Sequence, residues 1–416
     1  IIIIIFFFFF FRRLTHAMQS KPSPLGARAT LLCAGLLLLV SVWADQAFVG
    51  TVPNGSLVLL PASGQQVLID GQDFRSMVAQ LNTLTKQLSG LQCVTRVDAT
   101  VIAGQGNDKW LGGVLAGNGK IYGIPYSSTS VLIFDPVTNK ADTTTMAVAS
   151  GSFKWWGGVL APNGKIYGIP VRANSVLIID PMTNTVDTTT IRGLSGTTDA
   201  WRGGVLADNG KIYAIPSNSL SVLIIDPVTN TVDNTTITGL IGSEKWMGGV
   251  LAKTGKIYGM PSRVASVLII DPVTNTADIT SILVPTYANK WAGGVLAGNG
   301  KIYGIPSNAS EVLIIDPETN TADITSITAL PGPANTGKWH GGVLATNGKI
   351  YGIPRASSSV LIIDPDTNTA DTTSLSGFAG TDQWVEGVLG SNGWVYGVPF
   401  DAANMLVIQK VCSFQL

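Results

Sequence analysis

Residues 291–327 read WAGGVLAGNGKIYGIPSNASEVLIIDPETNTADITSI, and variants of this stretch recur along the chain. The leading Trp returns at positions 110, 155, 201, 246, 291, 339 and 384, at spacings of 45 to 48 residues. A fixed period of this length marks a solenoid, a propeller or another repeat array. Each copy holds short apolar runs separated by turn signals. GGVLA is the first run. Asn-Gly in the four residues after it signals a tight hairpin, because both central positions need a positive φ. KIYGIP is the second run, and a Ser/Asn-rich loop leads to the third, VLIID. Asp-Pro-x-Thr-Asn then turns the chain: Pro presets φ, and the Asp side chain caps the turn. The fourth run alternates, is rich in Thr and is more polar. None of the runs has helical periodicity. Four antiparallel strands per repeat, graded from Gly-rich to Thr-rich, predict a propeller blade with Gly on the crowded inner strand. An open β-solenoid is the alternative, with parallel strands of shorter period.

The last copy begins at Trp384 and stops before its fourth run. The missing piece stands at the other end of the repeats. TRVDATVIAGQGNDKW (95–110) aligns with NTVDTTTIRGLSGTTDAW (184–201). Residues 95–102 are therefore expected to be the outer strand of the last blade, paired with 405–411. The fold class is all-β: a seven-bladed β-propeller over 93–416, four antiparallel strands per blade, closed by an N-terminal strand. Cys93 and Cys412 both fall at the Asp-Pro-x-Thr-Asn turn of this blade, the one turn where the chain is broken. A disulfide there would tie the two ends in an oxidising compartment. Two unpaired thiols, or an intermolecular bond through Cys93, are the other readings.

Upstream of the repeats the chain changes character. Residues 1–17 begin with IIIIIFFFFFF and read as upstream sequence translated in frame, with Met18 as the start. From there the pattern is a signal peptide, 18–44. Lys21 and Arg28 form its basic region, 29–43 its apolar stretch, and cleavage is expected after Ala44. A retained signal anchor is the alternative, although the apolar run is shorter than a spanning helix. Residues 45–72 suit short strands or a linker. Residues 73–92 are expected to form a short amphipathic helix, because Met77, Leu81, Leu84, Leu88 and Leu91 trace an a/d seam over two heptads. That helix either packs on the propeller or forms a homo-oligomerising coiled coil through 77–91.

Composition narrows the function classes. Lys+Arg and Asp+Glu each number 26, and residues 1–44 hold four basic residues and no acid, so the mature chain carries a net charge of −4. That leaves no basic footprint for nucleic acid or anionic lipid. Outside the leader no apolar segment is long enough to span a membrane, so no span is expected in the mature chain. The sequence lacks P-loop, Gly-x-Ser-x-Gly, zinc and calcium-loop motifs, and no cofactor or metal is expected.

The motif W-x-G-G-V-L-A-x-N-G-K-I-Y-G-I-P, followed by S-V-L-I-I-D-P-x-T-N-T-x-D, resembles the secreted and periplasmic propellers of the NHL-like, YncE-like and streptogramin-lyase-like group over about 94–412. Kelch blades are a looser match. The resemblance implies the fold and a secreted or surface location. It does not select a function, since the group spans binding, scaffolding and catalysis.

Departures from the repeat suggest where chemistry could sit. The residue after each Trp varies while its neighbours do not: Leu111, Trp156, Arg202, Met247, Ala292, His340 and Val385. This position is expected at a blade rim or the central channel. Glu386 replaces a Gly kept in the other six copies. His340 and Glu386, on adjacent blades, are the candidate acid–base pair; drift at a tolerant surface position is the plainer reading. Lys109, Lys154, Lys245, Lys290 and Lys338 precede Trp110, Trp155, Trp246, Trp291 and Trp339. With Trp156 and Arg202 they are the candidate ligand-binding ring, suited to sugar faces or an anion. The competing reading packs each Trp between blades. Asn54, Asn234 and Asn308 head glycosylation sequons. The expected function is extracellular binding of a glycan or protein. A lyase or hydrolase using His340 and Glu386 is the alternative, and a near-inert surface repeat protein is a third.

Overall fold

The computed structural model of the protein describes residues 48–51, 57–60, 68–69, 72–73, 91–98, 106–194, 198–332 and 336–414. The compact unit Cys93–Cys412 is built on seven four-stranded antiparallel sheets, six in sequence order and the seventh completed by the N-terminal strand. In the fifth blade the strands are Trp291–Leu296, Ile302–Pro306, Leu313–Asp316 and Thr321–Asp323. The first strands of successive blades lie side by side, and that of the seventh abuts that of the first, so the ring is closed. This is the seven-bladed propeller the repeats predict.

The seventh sheet has the order Trp384–Leu389, Val395–Pro399, Leu406–Phe414, Leu91–Asp98. The N-terminal strand does supply the outer edge. It starts four residues earlier than the expected Thr95, and residues 99–102 lie outside the described ones. In the other blades the third and fourth strands are interrupted by the Asp-Pro-x-Thr-Asn turn. Here no turn joins them, so both run on, and Leu406–Phe414 reaches nine residues against the usual four.

Two of the remaining N-terminal expectations are partly visible. Within 45–72 and at its end stand two short hairpins, Phe48–Thr51 with Leu57–Leu60 and Leu68–Ile69 with Gln72–Asp73. The helix expected over 73–92 is corrected at its ends, where Asp73, Leu91 and Gln92 are in strands. Residues 74–90, and with them most of the heptad seam, lie outside the described residues. So do the upstream run, the signal peptide and Asn54. The side chains of Cys93 and Cys412 also lie outside what the structure describes. Among the described residues no helix is long and apolar enough to cross a membrane.

The core is a series of seams between blades. Trp155 packs on Val114, Tyr122 and Ile124 of the preceding blade, and the other seams repeat this pattern. Every leading Trp also donates its indole N–H to a carbonyl twenty residues on, as Trp246 does to Ser266 at 2.7 Å. At the opposite ends of the blades, the Tyr of KIYGIP bonds to the turn of the next blade. Tyr167 Oη donates to Pro227 O at 3.2 Å and lies 2.8 Å from Asn230 Oδ1.

The first strand carries the device that shapes the channel. Its pairing slips by one residue between Trp and the second Gly, for example between Trp155 and Gly158. The first Gly, such as Gly157 at φ +69°, is the left-handed residue of this bulge. A bulge re-aims the neighbouring side chain, and here it turns the residue after Trp toward the ring axis. The bulge glycines also touch one another. A Cβ on Gly293 would stand 3.1 Å from the Cα of Gly341. Gly293→Ala should therefore cost about 1–3 kcal/mol of stability through backbone strain and collision. Urea unfolding measures this, and an unchanged midpoint would show that the throat can widen.

Candidate ligand site at the channel mouth

The five Lys–Trp pairs form part of the wall. Lys245 and Lys290 are fully buried, and Lys109, Lys154 and Lys338 nearly so. The Lys245 ammonium donates to Ser217 O, Ser219 O and Gly242 O at 2.7 to 3.0 Å, across the seam to the preceding blade. Lys154 reaches Ser128 O and Gly151 O, and Lys109 reaches Phe400 O and Gly106 O. Burial pushes Lys245 and Lys290 down to about 8, and the carbonyl cage retains the proton. Of the candidate ring, the lysines thus stand in inter-blade ties with their ammonium donors engaged by carbonyls, while Trp156, Arg202 and Trp291 line the mouth. Lys245→Met should leave Ser219 O and Gly242 O without this donor, Ser217 O keeping the backbone N–H of residue 245, and cost about 2–4 kcal/mol. Denaturant unfolding reads this loss, and an unaltered stability would count against the tie.

The residues after each Trp are brought together, as the bulge requires. With the residues two before each Trp and those after Ile-Pro, they surround a cavity of about 400 Å³ at one end of the channel. Its two sides differ in emphasis. Blades seven, one and two supply the aromatic side, Val385, Phe400, Leu111, Tyr126 and Trp156, backed by Phe153, with Asp382 and Asp108 at its rim. Tyr126 stands 5.7 Å from Phe400 and 5.8 Å from Trp156, ring centre to ring centre. Blades three to six supply more polar groups, Arg202, Glu244, Ser262, Asn289, Ser307, His340 and Arg355, beside Met247 and Ala292.

Trp156 is the hub. The Arg202 guanidinium lies over its ring at 4.8 Å, and the His340 ring centre is 5.6 Å away. Its indole lies near enough to the Glu386 carboxyl to favour the ionised form slightly, against the larger effect of burial. Arg202 is held in turn by Asp199 at 3.4 Å and Glu244 at 3.9 Å. His340 is 2% exposed, and neither ring nitrogen has a protein partner. Burial first, and then Arg355 and Arg202, depress its pKa to about 3, so the imidazole is neutral.

Glu386 sits below, in a throat lined by the glycines of the bulges. It occupies the bulge position itself, at φ +56°. A Cβ on Gly112 would meet its Oε2, and one on Gly341 would lie 2.8 Å from its Cα. Its carboxyl faces only the narrow lumen, and removal from bulk water raises its pKa to about 7. His340 and Glu386 therefore meet through Trp156, not through a hydrogen bond to each other. The candidate pair is thus split between the wall, where His340 is neutral, and the throat, where Glu386 stands.

Of the sequons, Asn234 is exposed on the outer edge. Asn308 lines the mouth, accepts from Gly337 N at 3.0 Å and donates to Ala288 O at 3.2 Å, so its amide is already engaged. Among the described residues no cluster of His, Cys, Asp or Glu is arranged to hold a metal ion.

A family model described as "Repeat of unknown function (DUF6923)" matches residues 158–338. No curated protein matches the chain. Among solved structures, a streptogramin B lyase is similar at TM-score 0.63 and 13% identity, covering 76% of this chain and 98% of its own. Virginiamycin B lyase from Staphylococcus aureus gives 0.61 at 10% identity, covering 77% and 100%. The extracellular domain of a putative hybrid two-component system from B. thetaiotaomicron gives 0.56 at 11%, covering 76% and 42%. At these identities the likeness is one of fold.

Proposed function

We propose that this propeller is a secreted binding module that takes the end of a glycan in its channel mouth without turnover. The unequal walls of the mouth carry the reading. A cavity of 400 Å³ is within the usual range for small-ligand sites, which pair an apolar lining with a few placed polar groups. The apolar surface that Leu111, Tyr126, Val385 and Phe400 present to the cavity suits the apolar face of a sugar ring. Ser262, Ser307 and Asn289 opposite them suit its hydroxyls. A glycan array is the direct test. Trp156→Ala and Tyr126→Ala should each lower affinity more than about tenfold, in line with loss of a central aromatic anchor. Binding that survives both changes would place the site elsewhere.

The lyase alternative retains His340 and Glu386, and lyases are among the proteins of like fold. A general base must reach the proton it takes and hold a pKa near the working pH; His340, at about 3, does not meet the second condition, whereas Glu386, raised to about 7, does, so this reading rests on Glu386 with His340 as a neutral hydrogen-bonding group. A product formed from a bound ligand, and abolished by His340→Ala, would establish it.

Secretion is supported by the leader-like sequence and by extracellular domains among the proteins of like fold. It gives meaning to Cys93 and Cys412. In complete blades the third and fourth strands pair as Ile178↔Asp187 and Asp180↔Thr185. Carried to the closing pair by repeat alignment, that register sets Val407 opposite Asp98, and hence Cys412 opposite Cys93. We infer a cross-strand disulfide locking the ring. Mass mapping of a non-reduced digest should recover the linked peptides, and free thiols at both positions would remove the lock.

A further inference from the structure

On the face opposite the mouth, five of the seven seams between blades are closed in one way. The Tyr of the second strand reaches the Asp-Pro-x-Thr-Asn turn of the next blade. Tyr167 meets Pro227 and Asn230 there, and Tyr122, Tyr213, Tyr258 and Tyr303 repeat the contact. In four of these seams the hairpin Asn adds a bond to the same Pro carbonyl, as Asn163 Nδ2 does to Pro227 O at 3.0 Å. The Asn of each docked turn is left-handed, at φ +51° to +54°.

The seam between the sixth and seventh blades lacks this cover. There the third and fourth strands run on past the point where the other blades turn. Tyr351 Oη accepts from Asn347 Nδ2 at 3.0 Å, and among the described residues neither side chain has a hydrogen-bond partner in the seventh blade. Tyr351 is 4% exposed, whereas its six equivalents are fully buried. Ile362 behind it is only partly buried, whereas Ile178, Ile269 and Ile314 at the same position are buried. A cavity of about 450 Å³ opens at this point, lined by Asn347, Tyr351, Ile362, Asp364, Asp371 and Leu375. Tyr396 of the seventh blade also bonds only to its hairpin Asn392, but it is fully buried with Phe134 against its ring at 5.2 Å, so that seam is closed.

We propose that the open seam binds a turn of the Asp-Pro-x-Thr-Asn kind on a partner protein. The closed seams show what the occupant supplies. A Pro carbonyl accepts the second N–H of Asn347, and the side-chain oxygen of a left-handed Asn accepts the Tyr351 hydroxyl proton. Pro presets φ for such a turn, and Asn tolerates the left-handed position. Ile362 and Leu375 give the turn an apolar floor. The site is separate from the channel mouth and does not depend on the glycan reading.

The experiment is fluorescence anisotropy on the whole protein with a labelled cyclic peptide that holds Asp-Pro-Glu-Thr-Asn in its turn, since cyclisation cuts the ordering cost of binding. Binding should be saturable. Tyr351→Phe should weaken it about threefold to tenfold, and so should Ala in place of the peptide Asn, each removing one hydrogen bond. The two changes together should cost no more than either alone, because they remove the same contact. Tyr167→Phe, in a closed seam, should leave the affinity unchanged. Equal binding of the Ala peptide, additive losses for the two changes, or no saturable binding at about 1 mM peptide would overturn the assignment and leave the reading of the mouth untouched.

Discussion

Replacing Glu386 by Gln should flatten the stability of the propeller between pH 4.5 and pH 7, where the natural protein loses about 3 kcal/mol. The carboxyl has its pKa raised to about 7 from an ordinary 4.5, chiefly because the throat separates it from bulk water. A raised folded-state pKa means that the folded protein keeps this proton where the unfolded chain has released it. The stabilisation is therefore complete below pH 4.5, and it is lost as pH rises through 7. A shift of this size corresponds to roughly 3 kcal/mol. The groups facing Glu386 do not titrate in that window. The ring glycines have no side chain, Trp156 only donates, and His340 stays neutral above about pH 3. Glu386→Gly should go further. It removes the carboxyl and also the left-handed strain at φ +56°, worth about 1–2 kcal/mol, and it restores the seventh glycine of the ring. Urea unfolding at pH 4, 5, 6, 7 and 8 distinguishes the three proteins. Parallel pH profiles for the natural protein and Glu386→Gln would show that the throat hydrates the carboxylate.

That an acid occupies the throat was legible in sequence only as a broken repeat. Six copies keep Gly at this position, so the seventh was conspicuous, but its place on a bulge facing the axis needed the strand register. The same logic explains what else could be read. Strand count and blade order follow from turn chemistry repeated seven times. Ring closure follows because the run missing after Val411 is found before Trp110. Its boundary was misplaced because a strand pair without a connecting turn has nothing to end it. For the Lys–Trp ring a sequence shows charge but not the loop carbonyls that engage it. Asp108, Tyr126 and Phe400 were overlooked, although they carry the signal that exposed Trp156, Arg202 and His340. Each stands at a varying repeat position next to a largely kept one, the Lys before Trp or the Pro that ends the second run. Two such positions, two before each Trp and directly after Ile-Pro, would have outlined the mouth. Their convergence depends on the curvature of the ring, which no single repeat contains.

At the acid end the same propeller should remain folded to pH 4 and unfold only as pH falls toward 2. The outer strands carry six equivalent carboxylates: Asp142, Asp187, Asp233, Asp278, Asp323 and Asp371. Each closes a small loop by accepting from the residues two and three positions on. Asp187 takes Thr189 N at 2.6 Å, Thr189 Oγ1 at 2.8 Å and Thr190 N at 3.1 Å, as well as the Thr190 hydroxyl. Those hydrogen bonds, with the hydroxyl of the second Thr or Ser foremost, pull the six down to about 2 from 3.8. A depressed folded-state pKa has the opposite sign to that of Glu386. Its stabilisation is complete above pH 3.8 and is lost as pH falls through 2. Each site is half-buried, so solvent screening limits it to about 1 kcal/mol, but the sites lie in separate blades and should add. Thr190→Val and Thr236→Val each remove one of the strongest acceptor contacts. The pair should raise the acid-unfolding midpoint by a few tenths of a pH unit, and valine or alanine at all six equivalent positions should raise it in proportion. Circular dichroism followed from pH 5 to pH 1.5 measures the midpoint. A midpoint that ignores these changes would place the acid limb in some other set of carboxylates.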